Sequence, residues 1–104
     1  MEEEEINRVI ANYMGYTNIK QEEGLTFAGL TCGVIGVHVF DYSRSLDALI
    51  PVVEKLHSKD NMEYLLWIED SIWYAEYNAS YKNFAKTPAL ALATACAKVI
   101  KELE

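Results

Sequence analysis

Two short polar stretches of the 104-residue chain carry side chains suited to holding an anion. The first is Tyr42-Ser43-Arg44-Ser45. The second is Tyr81-Lys82-Asn83-Phe84, followed by Lys86 and Thr87. Each precedes an apolar run with helical spacing. The first turn of a helix leaves backbone N–H groups without partners and carries positive partial charge, so a helix start suits phosphate or carboxylate. With both starts at one edge of a sheet, Arg44, Lys82 and Lys86 converge, and Tyr42, Tyr81 or Phe84 can stack on a base. The candidate ligand-binding set is therefore Tyr42, Ser43, Arg44, Ser45, Tyr81, Lys82, Lys86 and Thr87. The plainer alternative for the same residues is ordinary helix capping beside a solvated loop.

Other chemistry has less behind it. The chain has no G-x-S-x-G elbow, no phosphate-binding P-loop and no dinucleotide fingerprint. Its histidines are His38 and His57. A Cys32/His38 pair is conceivable, because a base activates a thiol. His38 alternates with Val37 and Val39, however, which places it in or beside a core. His38, Asp41, Glu69 and Asp70 follow no metal-ligand spacing, and turn carboxylates in water are the plainer reading. No cofactor, metal or catalytic residue is expected.

Nine basic residues against sixteen acidic give a net charge of −7, which disfavours direct nucleic-acid binding. Hydrophobic residues at 51% and charged residues at 24% exclude a disordered chain. Glu2, Glu3, Glu4 and Glu5 suit a solvated helix start, where carboxylates complement the helix dipole. The sharper alternative is a nucleic-acid mimic that occupies a basic groove. An acidic start is the reverse of a signal peptide. The uncharged stretch 24–40 is short and glycine-rich for a membrane span. Cys32 and Cys96 lack C-x-x-C spacing and suit buried thiols in a reducing cytosol.

The elements that must position these residues follow from periodicity. Ile6, Val9, Ile10, Tyr13 and Met14 form a helical stripe, and Gly15 can take a left-handed cap. Residues 16–23 predict a loop or a weak strand. Strands follow at about 25–31 and 34–41, turning at Cys32-Gly33. Ser43 or Ser45 then caps a helix with the stripe Leu46, Leu49, Ile50, Val53 and Leu56, in which Pro51 predicts a bend. Residues 62–69 and 72–78 predict two strands joined by a tight turn at Asp70-Ser71. Both are apolar on each side and need cover on both faces, from helices or from a helix and a second subunit. Thr87-Pro88 starts an alanine-rich helix with a wide apolar arc. The order is α-ββα-ββα: one α+β domain over residues 1–104, with three helices on an antiparallel sheet of about four strands.

Three segments carry a resemblance. Residues 6–16 (INRVIANYMGY) resemble the "IAEFMGW"-like opening of small proteins found in phages and prophages. Residues 42–56 (YSRSLDALIPVVEKL) resemble their "Y-x-x-S-W-D-x-L-M-P-V-V-E-K-I" helix, with Leu46 where the pattern often has Trp. Residues 85–103 are similar to the "ETAPLAICRAALKA" ending of related phage domains. The resemblance implies a phage or mobile-element origin and a compact α-β-α sandwich, and it carries over no catalytic residues. The expected function is that of a non-enzymatic accessory protein in the bacterial cytoplasm. It would form a homo-oligomer and sequester a small anionic ligand, such as the nucleotide signal of a bacterial defence system. The alternative is an acidic inhibitor that uses residues 2–5 against a basic host or defence enzyme. A small hydrolase using Cys32 or a metal is a third class.

Overall fold

The computed structural model describes residues 1–17, 19–22, 25–29, 37–78 and 82–103. Its elements run α1 (Glu3–Tyr13), β1 (Ile19–Glu22), β2 (Leu25–Gly29), β3 (Val37–Phe40), α2 (Leu46–Asp60), β4 (Tyr64–Glu69), β5 (Ile72–Tyr77), β6 (Asn83–Ala85) and α3 (Pro88–Leu103). The α+β class, the three helices and the antiparallel pairing stand as the sequence predicts. Each expected hairpin gains one strand: β1 precedes the first and β6 follows the second. Among the described residues the strands form two three-stranded sheets, in the orders β1-β2-β3 and β4-β5-β6. β1 lies in the stretch 16–23 read as a loop or a weak strand, whereas the three residues of β6 are too few to show a period.

Alanine at 89, 91, 93, 95 and 97 makes α3 a thin helix that other elements can approach from several directions. It packs against β5 and β6 and also against α1 and α2, while α1 meets the strands of the first sheet. Helices α1 and α3 thereby bridge the two sheets. Ala91, Ala93, Ala95, Cys96, Ala97 and Val99 have no exposed surface. They share a core with Ile6, Ile10, Leu49, Val52, Leu56, Ala75 and Tyr77.

Local chemistry fixes the helix ends. Gly15, at φ +94°, allows the Gly15 N–H to reach the Asn12 carbonyl and the Tyr16 N–H to reach that of Ala11. This is a left-handed cap closing α1. Ser45 caps α2 by accepting from the Ala48 N–H at 3.2 Å, and Thr87 accepts from the Leu90 N–H at 3.2 Å. Helix α2 is continuous through Pro51. Its buried stripe is Leu49, Val52, Val53 and Leu56, an arc of about 100°. Leu46 and Ile50, expected inside, fall beyond that arc and are exposed. Asn7 is buried on α1 and grips the chain before α2: its Oδ1 accepts from the Ser43 N–H at 3.0 Å, and its Nδ2 donates to Ser43 Oγ at 3.3 Å.

In the second sheet, Asp70 and Ser71 both have positive φ, the conformation of a two-residue type I′ turn between Glu69 and Ile72. Trp73, Ala75 and Tyr77 share one face of β5, while Tyr74 lies on the opposite face beside Trp67 and Phe84. The strands' expected need for cover is met on one face by α3. Because Ala95 is fully buried in the shared core, Ala95→Leu should destabilise the fold by about 1–3 kcal/mol through overpacking, measured as a lower urea midpoint with an unchanged slope.

Candidate functional site

Of the residues predicted to bind an anion, several are committed to the fold. Tyr42 is buried and stacks on Phe40 with ring centroids 6.0 Å apart, and burial pushes its phenol up to about 12. Ser43 is bonded to Asn7, while the Ser45 and Thr87 hydroxyls cap their helices. Tyr81 lies outside the described residues. Lys82 places its ammonium 5.3 Å from the Tyr74 ring centroid and 5.7 Å from that of Trp67, within cation–π range. Lys86 is exposed.

The two strand-to-helix junctions do meet at one rim. A cavity of about 600 Å³ has Arg44 on its wall together with Phe84, Ala85 and Leu90. The expected convergence of Arg44, Lys82 and Lys86 is nevertheless not made, because neither lysine lines this cavity. Glu2, Glu3 and Glu4 do. Arg44 Nε donates to Glu3 Oε1 at 3.2 Å, across 41 positions of sequence. That hydrogen bond holds the Glu3 carboxyl below the usual carboxylate range. Glu2, Glu3 and Glu4 line the cavity together with Arg44 and Met1, and because Glu3 already engages Arg44, its guanidinium is less available to a phosphate than the sequence suggests. The sequence names the rim residues Arg44 and Phe84 but not the carboxylates that share the cavity with them. Nothing local to residues 2–5 signals that the start of α1 folds against residues 44 and 84.

Phe84 is 72% exposed, standing at the cavity wall and at the end of an aromatic row. In that row Trp67 stacks on Tyr74 at 5.5 Å and Tyr74 meets Phe84 at 6.2 Å. In the same first turn of α1, Glu5 pairs with Lys101 at 2.6 Å, tying the acidic turn to the end of α3.

The thiol chemistry weighed from sequence divides in two. Cys32 and the His38 side chain lie outside the described residues. Cys96 is fully buried, 3.4 Å from the Tyr77 hydroxyl, and burial pushes its thiol up to about 12. It is therefore uncharged at neutral pH and no nucleophile. Among the described residues no three His, Cys, Asp or Glu side chains gather to hold a metal, and no helix is long and apolar enough to cross a membrane.

No protein-family model matches the chain, and neither a curated protein nor a solved structure does.

Two outcomes follow from these environments. In a Cys32→Ser background the remaining thiol should resist a water-soluble disulfide reagent until the protein is unfolded, then react fully. In a carboxyl NMR titration Glu3 should titrate below the ordinary 4.5, and Arg44→Ala should return it there. Because its folded pKa is depressed, the pair adds stability above the usual carboxylate range and loses it as pH falls through the lowered value. Partial exposure keeps that contribution under about 1 kcal/mol.

Proposed function

We propose that the protein is non-enzymatic and works by stoichiometric capture of a basic protein partner. The observation that carries this reading is the combination of Glu2, Glu3 and Glu4 with the exposed ring of Phe84 around one cavity. A partner lysine or arginine can lay its aliphatic stem on Phe84 and Leu90 and set its charged head among the carboxylates. The net charge of −7 attracts such a partner over distance and speeds encounter. A nucleotide is the weaker occupant, since its phosphates would face the glutamates while Arg44 is engaged by Glu3. The similarity of the α1 and α2 segments to phage proteins makes a bacterial host or defence enzyme the partner in this proposal.

The test is calorimetric titration with a peptide of alternating lysine and leucine. Affinity should fall steeply as added salt shortens the screening length from about 10 Å at 0.1 M to about 3 Å at 1 M. Phe84→Ala, and separately the pair Glu2→Gln with Glu4→Gln, should each weaken binding roughly ten-fold. The pair Glu54→Gln with Glu102→Gln removes the same charge from exposed positions elsewhere. Equal weakening by both pairs would reduce the effect to net charge and overturn the assigned site.

A further inference from the structure

Residues 64–68 are five consecutive apolar side chains, and none of them is buried. Tyr64, Leu65 and Ile68 are 42%, 61% and 52% exposed. They form most of β4, an outer strand of its sheet with β5 on one side and no described strand on the other. Exposed edges are normally blunted by lysine, proline or a bulge, because unpaired N–H and C=O groups invite another strand. Residues 64–68 contain no charge and no proline, and the register with β5 runs without interruption from Tyr64↔Tyr77 to Glu69↔Ile72.

The hydrogen bonds fix which groups are left over. The Asn78 N–H donates to the Glu63 carbonyl at 2.9 Å, so residue 63 directs its polar groups at β5. Residues 65, 67 and 69 share that phase, and closure of the I′ turn at Glu69↔Ile72 agrees with it. Tyr64, Leu66 and Ile68 therefore turn their N–H and C=O groups toward the open edge.

We propose that β4 pairs antiparallel with β4 of a second copy about a two-fold axis at Leu66, joining two three-stranded sheets into one continuous sheet. The outward residues are symmetric about Leu66. Setting Leu66 against the partner's Leu66 and Tyr64 against the partner's Ile68 engages every outward backbone group. A shift by two residues leaves a pair unmatched. On the α3-facing side this register lays Tyr64 against the partner's Ile68. On the other side it lays Leu65 against the partner's Trp67. An occupant of this edge has to be apolar on both faces over the same length, and the strand itself meets that requirement at the protein's own concentration. The surface is separate from the acidic cavity, since Phe84 stands on β6 at the opposite edge of the sheet.

The same register brings Glu63 opposite the partner's Glu69 at each end. That like-charge contact opposes pairing and is screened by salt, so the dimer strengthens as salt rises, whereas capture of a basic partner weakens.

The experiment combines sedimentation velocity with amide hydrogen exchange over a range of protein concentration. The expected result is a mass rising from 11.8 kDa toward twice that value, more readily at high salt. The Tyr64, Leu66 and Ile68 amides should gain protection in step with the mass, while the Leu65 and Trp67 amides are protected throughout. Leu65→Lys and Ile68→Lys, at positions that are already exposed, should each return the monomer mass with an unchanged circular-dichroism spectrum. A monomer at every concentration overturns the proposal, and so does a dimer in which the Leu66 amide exchanges as fast as in dilute protein. Exchange on the unmodified chain decides the matter even where a lysine variant fails to fold.

Discussion

The thinness of α3 is the constraint on which the rest of the molecule depends. A helix needs side chains of some size to fill the space to its neighbours, yet α3 places alanine at every second position from 89 to 97. That choice allows β5, α1 and α2 to approach the same helix closely, at interior packing density. It also sets distances elsewhere. With α1 against α3, the acidic first turn of α1 is carried to the chain leading into α3, where Phe84 and Ala85 form the cavity wall. The Asn7–Ser43 hydrogen bonds then bring the start of α2 to the same place, and Arg44 with it. The cavity is a consequence of helix packing, built from three stretches distant in sequence.

Helix chemistry was the most legible part of the sequence because its signals are local. Gly15, Ser45 and Thr87 each act on backbone groups within a few positions, and each occupies the cap its residue type predicts. The Asp70-Ser71 turn is local in the same way. The α2 stripe was legible only to within one column of the helix: Val52 and Ile50 both extend the pattern of Leu49, Val53 and Leu56, and it is Val52 that enters the core while Ile50 stays exposed. β6 was invisible because Asn83-Phe84-Ala85 is defined by its pairing with β5 and by nothing in its own pattern.

The candidate site was legible in Arg44 and Phe84 and illegible in the carboxylates that join them. Arg44 and Phe84 stand out in the sequence as a cation and a stacking ring beside two helix starts. What composition cannot reveal is which carboxylates reach them. The Glu3–Arg44 pair closes a gap of 41 positions and is individually weak, because both side chains are exposed. Its effect is on orientation and local charge. It occupies the guanidinium that would otherwise have defined an anion site and leaves Glu2 and Glu4 to set the character of the opening. The α1 dipole offsets part of that negative charge, which keeps three neighbouring carboxylates compatible with a folded first turn.

A comparison of the strand edges separates β4 from the others. β1 mixes Lys20 and Glu22 into a four-residue strand, β3 has four residues and β6 has three. Short strands and interspersed charge are the usual devices that keep an edge from recruiting another chain. β4 has six residues, with its charge confined to one end, and its hairpin with β5 is closed by a turn that enforces register. Adding one lysine in the middle of β4 would have been sterically easy at Leu65 or Ile68, since both already face solvent. Among the described edges β4 combines the greatest length with no charge between Tyr64 and Ile68, which is what the proposed pairing of two copies requires. The symmetry of the free backbone groups about Leu66 makes the strand its own complement.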